Sequence, residues 1–230
     1  MRNWNEDAVR QALRIYLVMG TPNVSADQDP AEVLRQAIAG GITLFQFREK
    51  GAGSLTGEAR LSLALRLREL CRAQQIPFIV DDDVDLALAV EADGVHVGQE
   101  DADASRVRSR IGSGRMLGVS VHSVQEARLA VQAGADYLGV GPIYPTRSKA
   151  DAQAVLGIEG IRELRAAGIA VPMVGIGGIT ADLAASVLAA GADGIAVISA
   201  IAGAPDAQAA ALEFAAAWSN LRPQSGRLRS

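Results

Sequence analysis

The chain has 230 residues, 49% of them hydrophobic, with a formal net charge of -4. That length fits one large domain with ample core material, and the charge gives no electrostatic footprint for nucleic acid. A single cysteine, Cys71, excludes an internal disulfide and fits a reducing compartment, and no run of about 18 apolar residues suggests a membrane span.

The opening segment MRNWNEDAVRQALR lacks the apolar run of a signal peptide, so a soluble, cytoplasmic protein is expected, with a helix over about 5–14. From there short apolar runs alternate with segments of helical period. RIYLVMG (14–20), TLFQFRE (43–49), PFIVDD (77–82) and GVHVG (94–98) are each followed by a helix-like segment. So are MLGVSV (116–121), YLGVGPI (137–143), PMVGIG (172–177) and GIAVIS (194–199), the last by an alanine-rich helix over about 206–221. EADGVHVG, QAGADYLGVG and AAGADGIAVI form a weak repeat of helix end, aspartate and apolar strand. Eight such units predict a closed (β/α)₈ TIM barrel, α/β in class, as a single catalytic domain over 1–222 with an extra N-terminal helix. Residues 223–230 read as a flexible tail. A doubly wound open sheet is the alternative, but MGTPNVSAD stands where a G-x-G-x-x-G would be expected after the first strand.

In such a barrel functional groups gather at the C-terminal strand ends. Strand 2 carries Gln46, Arg48 and Lys50 at alternate positions, hence on one face, with Phe45, Phe47 and Glu49 on the other. No carboxylate shares that face within the stretch, so the partner of the two cations must come from another element or from a ligand. Strand 3 ends in Asp81, Asp82 and Asp83, and Asp101 follows strand 4. Asp82 and Asp101 suit Mg²⁺, which is usually held by one or two carboxylates and completed by water and phosphates. Helix capping by Asp83 or Asp101 is the plainer reading of part of this set.

Strand 5 brings Ser120 and His122 near the top, while His96 within strand 4 reads as structural. The loop GPIYPTRSKAD offers Thr146, Arg147, Ser148 and Lys149, donors suited to closing over an anion. GIGGIT and AVISAIAG then end strands 7 and 8, where this barrel usually holds a phosphate. Two anion sites in one barrel mouth are therefore expected.

QFREK, DDVDLAL, ADGVHVGQED, GVSVH, GPIYPT and VGIGGI, in this order between about 14 and 202, resemble the thiamine-phosphate synthase family. The resemblance implies a Mg²⁺-assisted transferase that joins hydroxymethylpyrimidine diphosphate to thiazole phosphate and releases diphosphate by a dissociative route. It implies that Gln46, Phe47, Arg48, Glu49 and Lys50 hold the pyrimidine diphosphate, with Asp81, Ser120 and Lys149 beside it. It further implies that Asp82 and Asp101 hold magnesium. Thr146, Arg147, Ser148, Gly178, Ile198 and Ser199 match the thiazole phosphate segment, and Arg48, Lys50, Lys149 and Ser120 the catalytic groups. The partner implied for Arg48 and Lys50 is a diphosphate.

Two positions depart from the family pattern. Ser148 replaces a threonine and keeps the hydroxyl, whereas Asp81 stands where the family has asparagine and adds negative charge beside a polyanion. Asp81 is expected to strengthen magnesium binding, to bind a second cation, or to be protonated in the complex. A thiazole tautomerase on the same barrel, using His122, and a non-catalytic phosphate-binding regulator are the competing readings. The intact QFREK and the Asp82/Asp101 pair argue against both. The partners expected are small-molecule substrates, with no nucleic acid and no membrane; a homo-oligomer is left open.

Overall fold

Eight parallel strands pair in sequence order and the last returns to the first, so the sheet has no edge. They are β1 (Ile15–Met19), β2 (Leu44–Phe47), β3 (Phe78–Asp81), β4 (Gly94–Val97), β5 (Met116–Val121), β6 (Tyr137–Val140), β7 (Met173–Ile176) and β8 (Gly194–Val197). Closure is made by Ile15, Tyr16 and Leu17 of β1 opposite Ile195, Ala196 and Val197 of β8. The structure is a computed structural model and describes residues 4–146, 148 and 154–221. Arg147, Lys149 and the tail expected over 223–230 lie outside the described residues.

The helices are α1 (Glu6–Ala12), α2 (Pro30–Ala39), α3 (Gly57–Ala73), α4 (Val84–Ala89), α5 (Ala104–Ile111) and α6 (Val124–Gln132). α7 (Gly157–Ala166), α8 (Ala181–Ala189), α9 (Ser199–Ala202) and α10 (Ala207–Leu221) complete the ring. The four-residue α9 has no counterpart in the sequence reading, which ran β8 directly towards the alanine-rich helix. Among the described residues, no helix is long and apolar enough to cross a membrane.

Strand alternation sorts the side chains into two layers. Phe45 and Phe47 of β2 point outward and pack with Phe78 in the layer between sheet and helices, with ring centroids 5.7 and 6.3 Å apart. Tyr16, Val18, Leu44, Ile79, Met116, Tyr137, Val174 and Ala196 form a separate inner cluster. Val9 and Ala12 of α1, with Leu13 just after it, join that inner cluster, so the extra helix plugs the lower mouth. Cys71 is buried in the outer layer, as its leucine-rich surroundings predict.

The internal repeat has a physical meaning at the bottom of the barrel. Asp93, Asp136 and Asp193 precede β4, β6 and β8, and each carboxylate accepts a backbone N–H at the start of the preceding odd strand. The three bonds are Phe78 N–H to Asp93 at 2.9 Å, Leu117 N–H to Asp136 at 2.7 Å and Met173 N–H to Asp193 at 2.9 Å. Arg108 and Arg165 donate to Asp136 and Asp193 at 2.5 and 2.6 Å, so the last two carboxylates are also charge-paired. Arg10 of α1 reaches Asp193 as well and pins the plug to β8.

Asp193→Ala removes several charge-assisted bonds from a mostly shielded carboxylate, and should lower unfolding free energy by about 2–4 kcal/mol in urea denaturation. Ligand binding at the upper mouth should be unchanged; loss of binding with full stability would contradict this division of labour.

Candidate active site

The strand tops enclose a cavity of about 510 Å³. Arg48, Lys50, Asp81, Asp82 and Asp101 line one wall, and Thr146, Ser148, Gly177, Gly178, Ile198 and Ser199 another. His96, Ser120 and His122 lie between them.

The charged wall is an interlocked ion-pair cluster. Arg48 Nε lies 3.2 Å from Asp81 Oδ2, with both side chains below a tenth exposed. Lys50 Nζ contacts Asp82 Oδ2, and lies 3.6 Å from Asp101 Oδ1 and 4.0 Å from Asp81 Oδ2. The missing partners of Arg48 and Lys50 are thus, in the protein alone, carboxylates from β3 and the β4 loop, where the resemblance implied a diphosphate. Asp81 is charge-compensated by Arg48, so its negative charge does not face a polyanion bare. Three carboxylates meet two cations here (Asp81, Asp82 and Asp101 against Arg48 and Lys50), an excess of one negative charge that Asp81 supplies.

Local backbone sets these directions. Asp82 adopts a left-handed φ of 58°, a conformation aspartate tolerates better than most residues, as the chain turns from β3 into α4. Asp83 caps α4 by accepting from Leu86 N–H at 2.9 Å and pairs with Arg60, so it serves the helix. Asp101 is not a helix cap. Its Oδ2 accepts Gly98 N–H at 2.8 Å, while Asp103 caps α5. A Cβ on Gly98 would stand 2.9 Å from that oxygen.

The donor set fits a hard divalent cation. Asp82 Oδ2 is buried against the Lys50 ammonium, and Asp101 Oδ1 faces the same ammonium. A lysine nitrogen therefore sits where these two carboxylates would share a metal. Among the described residues no three His, Cys, Asp or Glu side chains form a ready-made site, so ligand oxygens would have to complete the coordination.

The opposite wall offers hydroxyls and close backbone. Ser148 Oγ and Ser199 Oγ lie 3.0 Å apart, tying the β6 loop to the start of α9. Gly177 and Gly178 take φ of 100° and 64°, and a Cβ on Gly178 would stand 2.6 Å from Pro145 O, so only glycine fits this close approach. His122 Nδ1 lies 3.2 Å from Glu126, whose carboxylate also accepts His122 N–H at 2.7 Å, so the ring is held at the cavity edge.

Three residues expected at the ligand do not line this cavity. The Phe47 side chain faces outward into the apolar layer, as the strand period requires. The Glu49 side chain accepts from Thr21 N–H at 2.9 Å and Leu55 N–H at 2.7 Å, stapling the loops after β1 and β2 together outside the cavity. Gln46 is 2% exposed, a layer below the cavity, and donates to Tyr16 OH at 2.6 Å. His96, read as merely structural, reaches the cavity and bonds Ser120.

Comparison with known proteins agrees with this geometry. The family model described as thiamine monophosphate synthase matches residues 15–201. The thiamine-phosphate synthase of Bacillus velezensis is 56% identical over 214 residues, covering 93% of this chain and 94% of its own. That of Geobacillus kaustophilus is 57% identical over 209 residues, covering 91% and 93%. The solved structure of thiamine phosphate pyrophosphorylase from Pyrococcus furiosus superposes with a TM-score of 0.81 at 38% identity, covering 92% of this chain and 98% of that one.

Asp81→Asn brings the cluster to two carboxylates and two cations. A like charge at contact range in a half-solvated site is worth about 1–2 kcal/mol. Inorganic diphosphate without metal should therefore bind roughly five- to thirtyfold more tightly by calorimetry. The same change leaves Arg48 short of a carboxylate and should lower stability by about 1–3 kcal/mol. Unchanged diphosphate affinity would mean that Asp81 does not compete with ligand for these cations.

Proposed function

The chain belongs to the thiamine monophosphate synthase family and is a transferase that makes thiamine phosphate; on that premise we propose how this cavity performs the reaction. The carrying observation is that one cavity joins a wall of exchangeable ion pairs to a wall of glycine and hydroxyl groups. The first suits a diphosphate, the second a monophosphate, and a single mouth brings the two ligands together.

Hydroxymethylpyrimidine diphosphate lies with its diphosphate at Arg48 and Lys50, and Lys149, outside the described residues, is a further cation for it. Thiazole phosphate sets its phosphate on Thr146, Arg147, Ser148, Gly178, Ile198 and Ser199. The bond between the pyrimidine's exocyclic CH₂ and the diphosphate oxygen breaks with its electron pair going to diphosphate. The thiazole nitrogen lone pair then forms the new C–N bond, and no proton has to move. Asp82 and Asp101 would hold magnesium, which when bound supplies neutralisation of the leaving group's charge. Lys50 accordingly exchanges Asp82 for phosphate oxygen, and Arg48 and Lys149 stabilise charge that grows as the bond breaks. Ser120 faces the ring. No covalent nucleophile is needed on this route, and the tautomerase reading leaves the charged wall without a role.

Incubation of the purified protein with both substrates should yield thiamine phosphate and diphosphate in equal amounts, dependent on Mg²⁺. Asp101→Ala should abolish turnover at low Mg²⁺ without unfolding the barrel. Equal rates for the two proteins at limiting Mg²⁺ would remove Asp101 from the site.

A further inference from the structure

Below the cavity the barrel interior holds polar side chains in an unbroken line. Gln46 Nε2 donates to Tyr16 OH at 2.6 Å, and the Tyr16 and Tyr137 hydroxyls lie 2.9 Å apart. Tyr137 OH is 3.1 Å from His96 Nδ1, and His96 Nε2 is 2.9 Å from Ser120 Oγ. Five strands contribute one residue each, and the line ends at the cavity wall.

The register shows how it is built. Tyr137 of β6 and His96 of β4 are both paired with Gly118 of β5, which lies between them. Without a side chain there, the two meet over the glycine. A Cβ on Gly118 would stand 2.3 Å from Tyr137 OH and 2.4 Å from His96 Nδ1. Gly139, paired with Ser120, clears the far side of the imidazole in the same way, where a Cβ would stand 3.1 Å from His96 Cε1.

Proton counting gives the line a direction. Each phenol has one proton, and burial pushes both phenols above the ordinary tyrosine range, so both stay neutral donors. With Gln46 giving an N–H to Tyr16, Tyr16 gives its proton to Tyr137 and Tyr137 gives its own to His96 Nδ1. A neutral imidazole that accepts at Nδ1 carries its proton on Nε2 and donates to Ser120 Oγ. Ser120, accepting there, has its O–H left to give.

We infer that Gln46, Tyr16, Tyr137 and His96 form a positioning relay that fixes the Ser120 hydroxyl as a donor toward a ring nitrogen of the diphosphate substrate. The inference rests on the function proposed above for its ligand, a heteroaromatic ring with an acceptor nitrogen. The relay favours that acceptor, because a ring nitrogen with a lone pair gives the Ser120 proton the partner that the line leaves it without. The bond sharpens as the ring is held for loss of diphosphate, so the relay acts on turnover more than on capture of the anion.

Two histidines in the chain make ¹⁵N-histidine NMR a direct readout, with His122→Gln identifying the His96 signals. His96 should be neutral and protonated at Nε2, and Tyr137→Phe should abolish that preference. The same variant should lower kcat roughly tenfold, with a smaller change in KM and unaltered affinity for inorganic diphosphate, which has no ring. His96→Gln, which keeps an N–H for Ser120, should retain more activity than His96→Leu. Tyr16→Phe, which cuts the line one residue earlier, should show a weaker form of both effects and serves if Tyr137→Phe does not fold. An Nδ1-protonated or doubly protonated His96 in the unaltered protein would overturn the relay. So would a Tyr137→Phe protein with unchanged tautomer and turnover, or one whose diphosphate affinity falls as far as its turnover. Absence of product from the unaltered protein would refute the proposed function, while the tautomer would still decide the relay.

Discussion

Two cations just past the top of a barrel strand cannot be left without counter-charge, and the upper half of this molecule is organised by that constraint. Arg48 is shielded from water and needs a carboxylate, which β3 supplies as Asp81. Lys50 is more exposed and is shared by Asp81, Asp82 and Asp101. The protein alone therefore holds the cations proposed to bind anion in ion pairs with the carboxylates proposed to bind metal. On the proposed reading ligand capture is an exchange of partners, and it costs less than desolvating the same groups from water, because the protein has already met that cost on folding.

Stability is anchored at the other end. The aspartates of the internal repeat tie β4, β6 and β8 to the start of the preceding odd strand, and arginines on the outer helices neutralise two of them. With the lower mouth plugged by α1, the upper mouth can carry excess charge and left-handed turns without opening the barrel. Between the two ends lies the polar line from Gln46 to Ser120, which holds the floor of the cavity through cross-strand contacts.

Much of this was legible in the residues. Periodicity gave the eight strands and the closed barrel, and the alternation of Gln46, Arg48 and Lys50 gave the inner face, because period 2 is a local property. The facing walls followed from the strand-end rule, which brought Asp82, Asp101, Ser120, Gly178 and Ser199 together. Partnerships across strands were not legible. Glu49 shares a motif with Arg48 and Lys50 but points outward to staple loops, and Phe47 fills the outer layer. His96 reads as structural in the sequence because its contacts depend on Gly118 and Tyr137, residues whose meeting is fixed by register. The Arg48–Asp81 pair was hidden for a similar reason, its members being 33 positions apart in sequence and 3.2 Å apart in the fold.

The central claim is that the Lys50 ammonium and a divalent metal compete for Asp82 and Asp101. Binding of Mn²⁺, measured by electron paramagnetic resonance without any phosphate ligand, tests it in the intact protein and in Lys50→Gln. Removing a unit charge at about 4 Å is worth about 1–4 kcal/mol between the water and half-buried limits. Mn²⁺ affinity should accordingly rise roughly tenfold or more in Lys50→Gln, and the gain should vanish when Asp82→Asn is added. Mn²⁺ affinity that is unchanged or weaker in Lys50→Gln would contradict the claim.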